Sequence, residues 1–341
     1  MKKVFLLALL GTFLSANSNL KKNILNNKCE YKSYLIGNSK DVTTKTEPLF
    51  VLMGGGDDVD QAFNEMVKSS GGGDFVILRS SGEDGYNSYV YHDIGAGRVD
   101  SVETLLIDSK EKANCNEVEQ KIRNAEAVFI AGGDQADYYN YWHNSKVESA
   151  LNYLINKKYV PIGGTSAGLA ILGKFVFTAE KDTITSEEAL KNPFDEKIII
   201  RNNFLSVPLL DNIITDTHFS QRERQGRLIT FMNNILLNKL APFNKIKAVG
   251  VDEKTVVVLN KDGIGKVFGS NYAEFFSLGT KPSSFTPFNW EPKDKNYAIK
   301  SVKVKGSKSG TNSFNFNTWK LQKGTSEEVK YSIDKGVLKR N

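Results

Sequence analysis

The chain has 341 residues, of which 40% are hydrophobic and 25% are charged, and its formal net charge at pH 7 is +6. This length allows one large core or two modest ones, and the composition is ordinary for a soluble globular protein, so disorder is not the default. The net charge is too small to favour nucleic-acid binding by the whole chain, so we expect no nucleic-acid partner.

Residues 1–18 have the pattern of a cleaved secretory signal peptide. Lys2 and Lys3 precede an apolar run over residues 4–14, and Ala16 and Ser18 are small residues of the kind that a signal peptidase recognises. The run is too short to span a membrane, and no other stretch approaches the ~20 apolar residues that a spanning helix needs. We therefore expect a secreted or periplasmic protein without a membrane span.

Residues 19–47 are polar and weakly patterned, which is typical of an N-terminal extension or an edge element. The two cysteines of the chain are Cys29, in this extension, and Cys115. In an oxidising compartment they could form one disulfide, or both could remain unpaired thiols, and the sequence leaves these alternatives open.

From residue 48, apolar runs alternate with segments of helical pattern. Continuous apolar strands separated by helices are typical of a parallel sheet that is covered on both faces. The sequence therefore predicts an α/β domain over residues 48–278, with its site at the carboxyl ends of the strands. The predicted strands are residues 49–53, 75–78, 102–107, 127–130, 160–162, 198–200, 213–215, 248–251 and 255–259.

Glycine clusters follow three of these strands, as they would in a phosphate-binding site. The clusters are Gly54–Gly56, Gly132–Gly133 and Gly163–Gly164. Asp57, Asp58 and Asp60 after the first cluster would repel a phosphate, and no Gly-Lys-Ser/Thr sequence ends it. No paired-His spacing indicates a metal site. We therefore expect neither a cofactor nor a metal.

The third cluster opens the pattern Gly164-x-Ser166-x-Gly168, which lies between an apolar strand and an apolar helix. This pattern is typical of a nucleophile elbow, in which glycines let the backbone bend so that the serine hydroxyl projects above the sheet edge. The alternative is an ordinary strand-to-helix turn with a serine N-cap. A serine nucleophile would also need a base and donors for the oxyanion.

His218 is the best candidate for the base, because it alone among the three histidines directly follows an apolar strand. His92 lies in a Tyr-rich segment, and His143 ends an aromatic helix. The best carboxylate to orient the imidazole is Glu253, which also follows an apolar strand, with Asp216 and Asp252 as alternatives.

Two glycine-rich turns could supply the amides of an oxyanion hole. One amide is that of Ala167, and the other lies in the loop 132–134, where we select Gly133. Arg222, Arg224 and Arg227 then follow the candidate base. Their guanidinium groups suit two-point capture of carboxylates, although a solvated basic helix face explains them about equally well.

From about residue 279 the sequence changes to Lys, Ser, Asn and isolated aromatic residues. Residues 281–341 contain thirteen Lys/Arg against five Asp/Glu, and residues 314–316 alternate apolar and polar side chains. The sequence therefore predicts a small, basic, β-rich C-terminal extension over residues 279–341.

Four motifs together resemble the cyanophycinase branch of the S51 serine peptidases. They stand in the right order, and the resemblance spans roughly residues 48–276, without the C-terminal extension. The motifs are Gly163-Gly164-Thr165-Ser166-Ala167-Gly168, Gly132-Gly133-Asp134-Gln135, Asp216-Thr217-His218-Phe219-Ser220-Gln221-Arg222-x-Arg224-x-Gly226-Arg227-Leu228 and Gly250-Val251-Asp252-Glu253.

The resemblance implies a flavodoxin-like fold, which is a mostly parallel sheet with helices on both faces, and a triad of Ser166, His218 and Glu253. It also implies that Gln135, Arg222, Arg224 and Arg227 line the substrate pocket. Thr217 stands at a pocket position where cyanophycinases usually carry Gln. Members of the family release β-Asp-Arg dipeptides from a poly-aspartate backbone that carries arginine, or remove N-terminal Asp from small peptides.

We therefore expect a secreted serine peptidase that cleaves Asp-containing amide bonds through an acyl-enzyme, with an aspartate-containing peptide or polymer as substrate. The alternative is a catalytically silent surface-binding protein on the same fold, with the basic extension as its functional part. The sequence leaves a homodimer open.

Overall fold

The computed structural model describes residues 29–279 and 299–340. The expected signal peptide, residues 1–18, lies outside them. The described residues form a ten-stranded sheet, a six-stranded sheet and a two-stranded sheet, together with the helices that pack on them.

The strands are β1 (Lys32–Gly37), β2 (Leu49–Met53), β3 (Asp74–Arg79), β4 (Ser101–Leu106), β5 (Ala127–Ile130), β6 (Ile162–Thr165), β7 (Val176–Phe177), β8 (Ile200–Arg201), β9 (Ile213–Asp216), β10 (Lys247–Val251), β11 (Thr255–Asn260), β12 (Ile264–Gly269), β13 (Tyr272–Leu278), β14 (Ile299–Lys305), β15 (Ser313–Asn315), β16 (Lys320–Lys323), β17 (Ser326–Asp334) and β18 (Val337–Arg340). The ten-stranded sheet has the order β1-β4-β3-β5-β6-β2-β11-β12-β15-β16, and the six-stranded sheet has the order β18-β17-β14-β13-β10-β9. The short strands β7 and β8 pair with each other.

The helices lie mainly between the parallel strands. Two π-helical turns (Tyr89–Gly95 and Leu154–Lys158) and one 3-10 turn (Pro208–Leu210) accompany them. The α-helices are α1 (Asp60–Ser69), α2 (Lys110–Ala113), α3 (Asn116–Asn124), α4 (Gln135–Trp142), α5 (Lys146–Tyr153), α6 (Ala167–Ala170), α7 (Ser186–Lys191) and α8 (Gln225–Leu237).

The centre of the large sheet is parallel and buried on both faces. Strands β4, β3, β5, β6 and β2 are parallel neighbours. Within β2, Phe50 and Leu52 belong to one hydrophobic cluster, and Val51 and Met53 belong to another. The first cluster includes residues of α3, α4 and α5, and the second includes residues of α1. The prediction of an α/β fold with a covered parallel sheet is confirmed.

Antiparallel strands complete the large sheet on both sides. Strand β1, from the polar N-terminal extension, pairs with β4 at one edge. Strands β11, β12, β15 and β16 continue the sheet beyond β2. The parallel strands therefore form the middle of the sheet and not its whole width.

The C-terminal extension is β-rich, as predicted, and it continues both large sheets. Strands β14, β17 and β18 extend the six-stranded sheet, in which β9 and β10 are parallel and the other neighbours are antiparallel. Strands β15 and β16 join the ten-stranded sheet. A third hydrophobic cluster joins this six-stranded sheet to α7 and α8, with Phe276, Ile299 and Tyr331 on the sheet side.

Two predicted strands, residues 160–162 and 198–200, differ from the structure by two residues at their start. Strand β6 begins at Ile162 and not at residue 160, because the Val160 amide donates to the Leu154 carbonyl and Pro161 has no amide hydrogen to donate. Strand β8 consists of Ile200 and Arg201, so it contains only Ile200 of the expected strand 198–200.

Cys29 and Cys115 are both free thiols, and Cys115 is buried. Burial, followed by the influence of the neighbouring Cys115 thiol, raises the pKa of Cys29 to about 12. Over residues 29–279 and 299–340, no helix is long and apolar enough to cross a bilayer. The same residues contain no cluster of His, Cys, Asp or Glu side chains that could hold a metal ion.

Candidate active site

Ser166 lies in a sharp turn between β6 and α6. Its backbone has φ 51° and ψ −118°, a conformation that costs free energy for a residue other than glycine. The glycines on either side permit the turn: a Cβ on Gly164 would lie 2.5 Å from the carbonyl carbon of Gly168, and a Cβ on Gly168 would overlap the carbonyl oxygen of Ile130. The turn therefore has the geometry of a nucleophile elbow.

Three side chains from three strand ends form one hydrogen-bonded row. The Ser166 Oγ lies 2.7 Å from His218 Nε2, and His218 Nδ1 lies 2.6 Å from Glu253 Oε1. An ionised carboxylate can only accept hydrogen bonds, so Nδ1 carries the imidazole proton and donates it to Glu253. Nε2 is then free to accept the proton of the Ser166 hydroxyl. The structure thus brings together the three residues that the sequence selected.

The loop that contains Gly54 and Gly55 packs against His218. The Gly54 carbonyl accepts from the His218 amide at 2.8 Å, and His218 has a positive φ of 44°. A Cβ on Gly55, whose φ is +102°, would lie 2.5 Å from His218 Nε2. In the sequence, this glycine cluster indicates only a possible phosphate-binding loop. Its position after a strand at the site edge was the signal that could have pointed to the imidazole.

Burial lowers the pKa of His218 below its usual value, and the positive charges of Arg222 and Arg224 act in the same direction. The hydrogen bond to Glu253 opposes this shift. The net effect favours the neutral imidazole, which is the form that can accept a proton.

Glu253, and neither of the alternative carboxylates, contacts the imidazole. Its amide donates to Gln221 Oε1 at 2.9 Å, and its carbonyl accepts from Asn271 Nδ2 at 2.9 Å. Asp252 instead accepts from the amides of Ser220 and Tyr272. These bonds fix the loops that carry His218 and Glu253.

Asp216, the other alternative, is buried between two of the arginines. Its carboxylate binds Arg227 at two points, Nε to Oδ2 at 2.8 Å and Nη2 to Oδ1 at 2.6 Å. Oδ1 also lies 3.3 Å from Arg224 Nη1. Arg227 Nη1 donates to Thr183 Oγ1 and to the carbonyl of Ile184. Most of the Arg227 donors are therefore used within the protein.

Arg224 keeps one side of its guanidinium available. Its Nη1 donates to the Thr217 carbonyl at 3.0 Å, and in the described part of the chain Nε and Nη2 have no assigned acceptor. Burial lowers the pKa of Arg224 to about 10, which leaves the group charged at neutral pH. The free Nε–Nη2 side is the geometry that binds a carboxylate at two points.

A cavity of about 600 Å³ has Gln135, Arg222, Arg224 and Arg227 in its wall, whereas the three residues of the triad are not part of that wall. Gln135 Nε2 donates to the Phe177 carbonyl at 3.2 Å. Arg222 is exposed, and its amide donates to the His218 carbonyl at 3.0 Å. The wall also contains acidic residues, namely Asp134, Glu180 and Asp182.

The structure does not bring Thr217 into the wall of this cavity. Thr217 is buried, its amide donates to Asp216 Oδ1, and its Oγ1 lies 3.3 Å from Arg224 Nη1. Thr217 is expected in the substrate pocket, but in this structure it contacts Arg224 and not the cavity. The short threonine side chain ends at the arginine.

The loop of the second glycine cluster lies against Ser166. A Cβ on Gly132 would be 3.6 Å from the Ser166 Cβ, whereas a Cβ on Gly133 would be 3.0 Å from the Tyr138 hydroxyl. Ala167 is the first residue of α6, so its amide has no acceptor within the helix. Both glycine-rich turns therefore adjoin the serine.

The other two histidines lie away from this row. His92 is part of the π-helical turn Tyr89–Gly95. The ring of His143 stacks on Tyr139, with 4.6 Å between ring centroids. Neither histidine contacts Ser166.

Comparison with known proteins relates the chain to one peptidase family. The sequence profile of peptidase family S51 matches residues 83–264. The cyanophycinase of Nostoc sp. strain PCC 7120 is 25% identical over 180 residues, which are 53% of this chain and 53% of that protein. The cyanophycinase of Synechococcus elongatus is 26% identical over 228 residues, 65% of each chain. The chain thus spans about half the length of the first of these relatives.

Among solved structures, a peptidase from an acI-B1 Actinobacterium is similar, with 14% identity and a TM-score of 0.46. The alignment covers 67% of this chain and 91% of that one.

Proposed function

Because the chain belongs to peptidase family S51, we propose that it is a secreted or periplasmic serine peptidase that cleaves Asp-containing amide bonds. The observation that carries the proposal is the row Ser166–His218–Glu253, with 2.7 Å and 2.6 Å between its members. This order of hydroxyl, imidazole and carboxylate supports nucleophilic catalysis.

In the first half-reaction, Ser166 Oγ attacks the substrate carbonyl and His218 Nε2 takes the hydroxyl proton. Glu253 stabilises the imidazolium that forms and keeps its proton on Nδ1. The tetrahedral intermediate collapses, and His218 gives its proton to the leaving amine. Water then attacks the acyl-enzyme, with His218 again as the base, and releases the carboxylic acid and Ser166.

The oxyanion would be stabilised by the amides of Ala167 and Gly133. Ala167 offers an amide without a helical acceptor, and the loop that contains Gly133 adjoins Ser166 through Gly132. Two fixed donors at this point would stabilise the negative charge more in the transition state than in the substrate.

We propose that Arg224 binds the substrate carboxylate, because its Nε–Nη2 side is available and the side chain is largely buried from water. Arg222 and Gln135 would add contacts at the same cavity. Arg227 and Thr217 would act by positioning Arg224 and Asp216. The acidic residues Asp134 and Asp182 in the wall suit a substrate that also carries a cation, as the arginine-bearing polymer cyanophycin does.

Labelling with a fluorophosphonate probe tests the catalytic part of the proposal. The folded protein should be labelled at Ser166, and Ser166→Ala and His218→Ala should each abolish labelling. A folded wild-type chain that stays unlabelled would favour a catalytically silent binding protein. Digestion of cyanophycin, compared with a panel of isoaspartyl and aspartyl dipeptides, would then identify the substrate.

A further inference from the structure

A pair of lysines from the C-terminal extension lies over one aromatic ring at the start of β13. The Nζ of Lys303 is 4.5 Å from the centroid of the Tyr272 ring, and that of Lys305 is 5.3 Å away. Cation–π contacts hold both ammonium groups on the same ring in spite of their mutual repulsion. We call Tyr272, Lys303 and Lys305 the lysine surface.

The side chain of Asp252 connects the lysine surface to the candidate active site through two hydrogen bonds. One Asp252 oxygen accepts from the amide of Ser220 at 2.8 Å, and the other accepts from the amide of Tyr272 at 3.1 Å. Ser220 is two residues after His218, and Asp252 precedes Glu253. Strand β14 of the C-terminal extension pairs with β13 so that Lys305 is opposite Tyr272. The extension therefore places its lysines next to the residue whose amide binds Asp252.

The two ammonium groups have no carboxylate within ion-pair distance in the described part of the chain. Glu274, opposite Lys303 in the sheet, is buried and accepts from Ser301 Oγ and the Tyr331 hydroxyl. Glu327, opposite Lys303 on the other side, pairs with Arg340. The positive charge of the lysine surface is therefore available to a ligand.

We propose that the lysine surface binds the acidic chain of a polymeric substrate beyond the residue that Ser166 attacks. The inference rests on the proposed function, and it assigns a substrate-binding role to a segment outside the S51 match, which ends at residue 264. Side chains two residues apart in an extended acidic peptide point to the same side, so two of their carboxylates can meet the two ammonium groups. Nucleic acid fits less well, because the surface offers a single aromatic ring whose face is already covered by lysines.

Binding of fluorescein-labelled deca-aspartate to the Ser166→Ala protein, followed by fluorescence anisotropy, tests the proposal without turnover. In this background, Lys303→Gln/Lys305→Gln should weaken binding by about 5–30-fold at low salt, and the loss should shrink as salt is added. The matched control is Lys320→Gln/Lys323→Gln, which removes the same charge from the exposed outer strand β16. The control should change binding by less than about twofold, and deca-asparagine should not bind.

Equal losses in the two double variants would overturn the proposal, because the effect would then be one of net charge alone. Tighter binding of a ten-nucleotide oligothymidylate than of deca-aspartate would also overturn it in favour of nucleic acid. If Lys303→Gln impairs folding, Lys305→Gln alone, at an exposed position, serves the same comparison. The proposed function is tested independently, because the binding comparison uses the inactive Ser166→Ala protein. If the wild type hydrolysed no aspartyl substrate, the proposed function would be wrong whatever the binding comparison showed.

Discussion

Arg227 and Asp216 form a two-point ion pair in which each side chain is only 4% exposed. Removing one partner of a buried pair leaves the other charge without compensation, which typically costs about 3–5 kcal/mol of stability. Arg227→Met should therefore lower the free energy of unfolding by this amount. Arg224→Met should cost less, because Arg224 makes only longer contacts with Asp216 and Thr217. Urea unfolding of the two variants would measure the difference, and equal losses would contradict this division of roles.

The available side of Arg224 gives a second prediction, which concerns specificity. A charge-assisted two-point contact contributes roughly 1.5–3 kcal/mol, so Arg224→Met should lower kcat/KM for an Asp substrate by about 10–100-fold. The matching Asn substrate should be affected little. Arg224→Lys should restore activity only in part, because an ammonium cannot make the planar contact. Equal losses on the Asp and Asn substrates would show that Arg224 does not read the substrate charge.

Much of the fold and of the site geometry could be predicted from local sequence. Apolar strands such as β2 and β5 have the bounds that the sequence predicts, because a strand buried on both faces is a continuous apolar run. Ser166, His218 and Glu253 each follow such a strand, so their meeting at one edge could be expected.

What the sequence could not supply depends on contacts between distant segments. The burial of Arg227 and Thr217 follows from the packing of α8 and its preceding loop against Asp216, and no local pattern distinguishes Arg227 from Arg224. The contact of Gly55 with His218 joins residues 163 positions apart, and the pairing of β14 with β13 crosses the segment between residues 279 and 299. Contacts of this kind join segments that are far apart in the sequence, so local sequence patterns do not predict them.

The contact between Gly55 and His218 gives a third prediction. Gly55→Ala should lower kcat/KM by about 100-fold or more, because the new methyl group would overlap the imidazole and displace it from Ser166. Gly97→Ala is the control, since Gly97 also has a positive φ, +83°, but nothing lies within 4 Å of the added Cβ. Both variants should lose about 1–2 kcal/mol of stability through backbone strain. A fully active Gly55→Ala would mean that the loop does not fix the imidazole.

The last prediction concerns the pH dependence of kcat/KM, which reports the free enzyme. His218 must be neutral to accept the Ser166 proton, so activity rises with pH through the pKa of His218. Burial lowers that pKa below the ordinary value of about 6.5, and the acidic limb of the profile should therefore lie below pH 6.5. Arg222 also lowers the pKa, so Arg222→Gln should move the limb to higher pH. Glu253 raises it, so Glu253→Gln should move the limb to lower pH while reducing the maximum rate, with some activity remaining. A wild-type limb above pH 6.5, or shifts of the same sign in the two variants, would show that the titrating base is not His218 in this environment.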